Sequence, residues 1–231
     1  MKEQLAQGLA ALGLPTGGIP HLERYAQMLL ETNKVMNLTA ITEPEQIAAL
    51  HFLDSAALLH FCEIKGKQVA DIGTGAGFHG LPLKILEPSL SLTLLDSLRK
   101  RVDFLQSVVE ELGLEEVQCI HGRAEEFARE HREQYDFVTS RAVASLPMLT
   151  ELTLPLVKVG GYFVAMKSTD SEGELKQSLQ AIRLLGGQVE RQEDYEIPGT
   201  EVTHRLIFVK KISETNKKYP RAFTQIKKRP L

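Results

Sequence analysis

Three glycines alternate behind an aspartate in the run Asp71-Ile72-Gly73-Thr74-Gly75-Ala76-Gly77-Phe78, and Gly80 follows His79. Val69, Ala70 and Ile72 read as a short buried strand. Glycines just beyond a strand let the backbone turn tightly, and a helix starting after Gly80 would aim unpaired N–H groups and its positive dipole end at whatever the loop holds. This is the chemistry of a nucleotide-type cofactor site. Gly75, Gly77 and Gly80 satisfy the G-x-G-x-x-G spacing, and Asp96 closes the next apolar run (Leu92, Leu94, Leu95), where an acid suits a ribose. A dinucleotide and S-adenosylmethionine both carry a ribose, so these features do not separate them. Asp71 leans toward S-adenosylmethionine: a carboxylate at the strand end repels a pyrophosphate and attracts a cation such as the α-ammonium of a methionine moiety. Glycines that only pack a strand–turn–helix are the alternative, although an acid at each strand end exceeds what a turn requires.

In open α/β sheets, ligands bind at the carboxyl ends of strands near the point where strand order reverses. Ser97 follows Asp96 there, Arg123-Ala124-Glu125 follow the third candidate strand, Ser140-Arg141-Ala142 the fourth and Lys167-Ser168 the fifth. Ala124 leaves room for an adenine ring while Glu125 or a backbone carbonyl accepts its amino proton. A first-turn acid complementing a helix dipole explains Glu125 equally well. Arg141 can hydrogen-bond a base, a phosphate or a cofactor carboxylate, and with Lys167 it is a candidate for positioning a substrate. No catalytic acid, base or nucleophile is assigned.

The acceptor is narrowed by what the fourth strand end lacks. Methylation of an adenine amino group would call for an Asn or Asp, two prolines and an aromatic there, where this chain has Thr139-Ser140-Arg141-Ala142-Val143. Cytosine C5 methylation needs a thiolate nucleophile, but Cys119 lies inside a strand and Cys62 at a helix end. N7 of a purine is an exposed lone pair with no proton to lose, so its methylation needs alignment more than a strong base. His79 falls in the first turn of a helix and is expected to face solvent or backbone. His51 and Asp54, three apart on one helix, are expected to meet as a structural pair.

The elements that must position these residues fall into three parts. Residues 1–62 read as an N-terminal helical extension: Leu22, Tyr25, Ala26 and Leu29 mark one helix face after Pro20, and Thr42-Glu43-Pro44-Glu45 fits a capping box before Ile47, Leu50, Leu53, Ala57 and Leu58 at helical spacing. A polar connector, residues 33–41, joins them. Residues 63–212 alternate strands (68–72, 91–96, 117–121, 135–140, 161–167, 189–195, 204–210) with helices (80–87, 98–112, 145–158, 172–185), Gly160-Gly161 and Gly186-Gly187 closing the last two. Such alternation predicts a doubly wound, mostly parallel sheet. Only Ile197-Pro198-Gly199-Thr200 separates the final strands, which must therefore pair as an antiparallel hairpin. The expected fold is α/β, of the Rossmann-like class I methyltransferase layout.

Residues 213–231 form the third part, a basic tail. From Lys210 onward the chain carries eight cations against Glu214, a balance of +7 that leaves −10 on the rest. Such a segment is a candidate phosphate contact or a frayed terminus; Tyr219, Pro220 and Phe223 among the cations can stack on bases or pack the segment down. With 43% hydrophobic and 25% charged residues the composition is that of a soluble globular protein. No apolar stretch approaches the roughly 18 residues of a membrane span, and no secretory h-region is seen, so a cytoplasmic location is expected. The two cysteines have no disulfide-framework or metal-ligand spacing, so no metal is expected.

These motifs together resemble the RsmG (GidB) methyltransferases of bacteria over nearly the whole chain. The resemblance runs through Tyr25 to Ile41, His51-Phe52-Leu53-Asp54-Ser55, the glycine loop, Arg123-Ala124-Glu125, Ser140-Arg141-Ala142, Met166-Lys167, Lys218-Tyr219-Pro220-Arg221 and the Lys227-Lys228-Arg229-Pro230-Leu231 ending. It implies S-adenosylmethionine-dependent methylation of guanine N7 in 16S ribosomal RNA; the expected partner is that rRNA or a small-subunit particle, and a monomer is expected. It also implies cofactor contacts at Gly73, Phe78, Ala124, Glu125 and Arg141. A small-molecule methyltransferase and a noncatalytic nucleotide- or RNA-binding module are the alternatives. His79 stands where the family usually has Pro, Ser168 where it has Gly, and Ala222-Phe223-Thr224-Gln225 where Ala-Gly-Thr-Pro is expected.

Overall fold

The computed structural model describes residues 1–141 and 144–231, so Ala142 and Val143, part of the fourth strand-end motif, lie outside the described residues. Seven strands, β1 (Gln68–Ile72), β2 (Ser91–Asp96), β3 (Val117–His121), β4 (Tyr135–Arg141), β5 (Val157–Ser168), β6 (Gly187–Glu196) and β7 (Thr203–Lys211), form one sheet in the order β3-β2-β1-β4-β5-β7-β6. β1 lies inside the sheet, parallel to β2 on one side and to the middle strand β4 on the other, with Val69 opposite both Leu92 and Phe137. Every residue of β1 after Gln68 and of β2 after Ser91 is buried; strands covered on both faces read as continuous apolar runs. β7 inserts antiparallel between β5 and β6, giving the expected hairpin. The outer strand β6 alternates buried or half-buried positions with exposed polar ones, Glu190, Asp194 and Glu196 among them, and such charges blunt a sheet edge. Strand order reverses between β1 and β4, opening a crevice at their carboxyl ends.

The helices are α1 (Lys2–Ala11), α2 (Ile19–Asn33), α3 (Pro44–Ile47), α4 (Asp54–Phe61), α5 (Gly80–Leu86), α6 (Arg99–Glu111), α7 (Ala124–Glu130), α8 (Leu146–Thr153), α9 (Glu172–Leu184) and α10 (Phe223–Lys228). A π-helical stretch, Ala48–Leu53, joins α3 to α4. The apolar face of α2 (Leu22, Tyr25, Ala26, Leu29) shares one core with Leu92 and Leu94 of β2 and Leu105 of α6. Tyr25 stacks on Phe52 at 5.2 Å, and its hydroxyl donates to the carbonyl of Ala76 in the glycine loop. The N-terminal helices thereby brace the loop. No helix among the described residues is long and apolar enough to cross a membrane.

One expected helix is shorter than its sequence implies. Instead of running over 145–158, α8 stops at Thr153, a 3₁₀ turn covers Leu154–Leu156, and β5 begins at Val157. Pro155 supplies no N–H to continue the helix, and Val157 and Val159 favour extended backbone. Gly160-Gly161 is a strand bulge rather than a helix cap: the register with β4 jumps from Tyr135–Val157 to Phe137–Tyr162. A Cβ on Gly161 would lie 2.5 Å from the carbonyl oxygen of Asp136.

The tail is docked, not frayed. Tyr219 and Ile226 are buried, and the Arg221 guanidinium holds the fully buried carboxylate of Glu151 on α8 at 2.6 to 3.2 Å. Lys211 is also fully buried, donating to the Leu154 carbonyl at 2.6 Å and the Thr215 hydroxyl at 2.7 Å while pairing with Glu133 at 3.2 Å. The bulge gives a direct test: Gly161→Ala forces the β4 backbone aside and should lower the urea-unfolding free energy by about 1–3 kcal/mol. An unchanged unfolding midpoint would show that the Asp136 carbonyl yields freely.

Candidate functional site

Two joined cavities open at the carboxyl ends of β1, β2 and β4. The larger, about 550 Å³, is lined by Asp71, Gly75, Phe78, Arg101 and Arg141 among others. The smaller and more apolar, about 130 Å³, lies between Glu125 and Ala124 on one side and Leu149, Leu152 and Phe223 on the other. Gly73, Asp96 and Ser97 line both.

The loop is held by the two acids that frame it. Asp71 accepts the Thr74 hydroxyl at 2.7 Å and the Gly80 N–H at 3.1 Å on one oxygen, and the Thr139 hydroxyl at 3.3 Å on the other. Burial pushes its carboxyl up, against the pull of those donors. Asp71 faces the larger cavity, but its donors come from the protein, so the structure displays it as the staple of the turn. Asp96 accepts the N–H groups of Gly75 and Leu98, each at 2.9 Å, and Arg101 at 3.3 Å. Gly77 has φ +97°, and a Cβ there would meet Leu81 at 2.6 Å and Leu105 at 2.8 Å. That conformation and that closeness admit only glycine.

Arg141 is the hub of the larger cavity's far wall. It donates to the Leu50 carbonyl at 2.9 Å, to Asp54 at 3.1 Å and to Nδ1 of His51 at 3.1 Å, and it lies 5.4 Å from the centre of the Phe78 ring. His51 stacks on Phe78 at 3.7 Å, and its Nε2 lies 3.0 Å from the Thr39 hydroxyl. Asp54 also accepts Tyr195 at 2.7 Å and His204 at 2.8 Å. Burial raises the Asp54 carboxyl, but His204, Tyr195 and Arg141 outweigh it and hold the group below the usual range. The expected His51–Asp54 pair is therefore replaced by convergence of both on Arg141, the π-helical stretch having changed the helix phase between them.

His79 overturns another expectation. It is 1% exposed, and neither ring nitrogen has a hydrogen-bond partner among the described residues. Every residue of α5 is buried, so its first turn has no solvent face to offer. Lys167 stays outside both cavities, pairing with Glu174 and donating to the Ala144 carbonyl, each at 2.9 Å. Glu125 is buried beside Ala124 and lies 3.4 Å from Arg123. Cys62 and Cys119 are free thiols pushed up by burial to about 12 and about 11, which suits neither to act as a nucleophile.

Residues 18–202 match the family described as rRNA small subunit methyltransferase G (GidB). The chain belongs to that family. A ribosomal RNA small subunit methyltransferase G of Alkaliphilus metalliredigens is 47% identical, covering 98% of this chain and 97% of its own. One of Thermoanaerobacter sp. is 43% identical over 99% and 98%. Among solved structures, M. jannaschii TYW2 in complex with AdoMet superposes with a TM-score of 0.57 at 15% identity, covering 70% of this chain and 77% of that one. A SAM-dependent methyltransferase from Aquifex aeolicus gives 0.54 at 18%, covering 78% and 97%. These likenesses place the sheet in the class I methyltransferase fold.

In this member of the rRNA small subunit methyltransferase G family, the strand-end rule picked out Asp71, Gly73, Gly75, Gly77, Phe78, Asp96, Ala124, Glu125 and Arg141, and the structure gathers all of these except Gly77 in the walls of the two cavities, Gly77 packing instead against Leu81 and Leu105. It missed Leu38, Leu149 and Phe223 in their walls, and His204 and Tyr195 behind Asp54. Only Phe223 carried a local signal, as an aromatic among cations.

The buried imidazoles set a pH dependence. Burial first, then the nearby Arg141 charge, pushes both His51 and His79 down to about 3 from 6.5. The unfolded chain thus takes up these protons first: stability is fully present above pH 6.5 and declines as pH falls toward 3, a loss on the order of several kcal/mol. His79→Leu should flatten the slope of urea stability between pH 7 and 5. It should also raise stability at pH 7 by about 1–3 kcal/mol, by removing unpaired buried nitrogens. An unchanged slope would mean that His79 does not resist protonation.

Proposed function

We propose that this chain transfers a methyl group from S-adenosylmethionine to N7 of a guanine in small-subunit ribosomal RNA. The observation that carries the reading is the pairing, within a chain of this family, of an apolar slot beside Ala124 and Glu125 with a roomier compartment, joined at Asp96. That shape fits the cofactor. The slot takes an adenine, Asp96 a ribose, and the backbone of Gly73 and Gly75 with Asp71 the methionine end. When bound, S-adenosylmethionine supplies an electrophilic methyl on a sulfonium.

The chain's own residues suit a reaction that needs alignment without a base. His51 and His79 are held neutral and are weak proton acceptors at pH 7, while Asp71 and Asp96 are committed to hydrogen bonds. Guanine N7 offers a lone pair with no proton to remove, so orientation of the acceptor suffices. Arg141 is fixed on three sides and 20% exposed, which makes it a rigid positioning group at the cavity wall.

RNA recognition is supported at the mouth. Arg99, Lys100 and Arg101 occupy the first turn of α6, where the helix dipole favours acids, and the exposed apolar residues Val35 and Leu98 sit beside them. Cations placed against the local dipole, around an apolar rim, suit phosphates and an unstacked base. The exposed Lys217, Lys218, Lys227 and Lys228 of the tail add a second basic surface.

Calorimetry with S-adenosylmethionine tests the cofactor reading: Asp96→Asn should weaken binding by about tenfold or more, and undiminished affinity would remove Asp96 from the site. Replacing Lys217, Lys218, Lys227 and Lys228 together by Gln should leave cofactor affinity intact. The same variant should lower RNA affinity and reduce its salt slope by about three. Mapping of methylated nucleosides in rRNA from cells with and without the gene should show loss of one 7-methylguanosine. An unchanged map together with an unchanged salt slope would favour a small-molecule acceptor.

A further inference from the structure

The smaller cavity is closed by the tail. Its outer wall is Phe223, the first residue of α10, facing Gly73, Asp96, Ala124 and Leu149. The Arg123 guanidinium, which lines the same cavity, lies over this ring at 4.6 Å from its centre. A largely apolar cavity of about 130 Å³ is of the size that takes one aromatic ring system, since an engineered cavity of about 150 Å³ binds benzene.

Phe223 is held there by a built latch. The Arg221 backbone N–H and guanidinium both donate to the fully buried Glu151, the backbone contact at 2.8 Å. Glu151 sits on α8 between Leu149 and Leu152, which line the same cavity, so one helix carries both the anchor and the facing wall. From α7 and just beyond it, Arg129 donates to the Pro220 carbonyl at 3.2 Å and Arg132 to the Tyr219 carbonyl at 2.7 Å. Arg221 and Phe223 are separated by one residue, so undocking the first must withdraw the second.

We propose that Phe223 is the stacking wall of the adenine subsite, and that the docked C-terminal segment is thereby part of the cofactor site. This rests on the cofactor reading above. Cofactor occupancy then stabilises the docked tail, which presents Lys217, Lys218, Lys227 and Lys228, and a docked tail in turn tightens cofactor binding by the same factor, because coupling between two binding events is reciprocal.

Calorimetry with S-adenosylhomocysteine on the full chain tests this. Phe223→Ala should weaken binding by roughly five- to a hundredfold, the range of a base–aromatic stack. Phe223→Tyr should keep near-native affinity, and Phe223→Leu, apolar but without a stacking face, should fall between. Arg221→Ala should weaken binding as well. S-adenosylhomocysteine should slow tryptic cleavage at Lys227 and Lys228 in the native chain and not in Arg221→Ala. Native affinity in Phe223→Ala alongside lost affinity in Asp96→Asn would overturn the wall and leave the site standing. Native affinity in both variants would overturn the site and the wall together.

Discussion

A carboxylate with no exposure to water has to be neutralised and hydrogen-bonded, or it costs on the order of several kcal/mol. Asp54 meets that demand with donors from three strands. Arg141 of β4 reaches it across 87 residues of sequence, Tyr195 of β6 across 141 and His204 of β7 across 150. The helical segment that carries Asp54 is thereby fastened to the middle and to the antiparallel side of the sheet. Leu50 and His51, one turn earlier, complete the shell around Arg141. His51 lies flat on Phe78, the residue that ends the glycine loop. One buried charge thus fixes the helices, the far wall of the larger cavity and one end of the loop.

The other end of the loop is fixed by the same logic on a smaller scale. Asp71 ties Thr74 and Gly80 together, Asp96 ties Gly75 to the start of α6, and Leu95 accepts the N–H groups of Gly73 and Thr74. Backbone groups that a tight turn would leave unpaired find partners in side chains at two strand ends. Local rules are broken nearby, by the cations at the start of α6 and by His79, buried without a hydrogen-bond partner among the described residues. Natural chains concentrate such violations where a site is built.

What could be read from sequence follows from the range of the interactions involved. β1 and β2 are local apolar runs, and their limits match expectation to the residue. The hairpin followed from the absence of room for a crossover helix between β6 and β7. Asp96 and Ala124 were legible because a strand-end position is itself a local fact. Gly160-Gly161 was not, since glycine pairs cap helices and bulge strands alike, and the neighbouring Asp136 carbonyl decides between them. Nor was the Arg141 hub, whose hydrogen-bond partners Leu50, His51 and Asp54 lie 87 to 91 residues away in sequence. Lys167 looked available for the same reason: nothing near it in sequence announces that Glu174, across the turn into α9, will take its charge.

The tail carries this argument to the site itself. A run of cations has no local signal for docking, and its charge alone predicts solvation. Two features override charge: Tyr219 and Ile226 bury apolar surface, and Arg221 satisfies a carboxylate on α8 that would otherwise be stranded. Because Glu151 lies between Leu149 and Leu152, the requirement to neutralise it draws Phe223 onto the cavity that those leucines line. The lysines on either side remain exposed. The segment therefore divides its work, Tyr219, Arg221 and Phe223 facing the protein while Lys217, Lys218, Lys227, Lys228 and Arg229 face outward. Lysine, a compact and strongly hydrated charge, is suited to nonspecific phosphate contact, while the planar guanidinium of arginine is suited to a buried carboxylate.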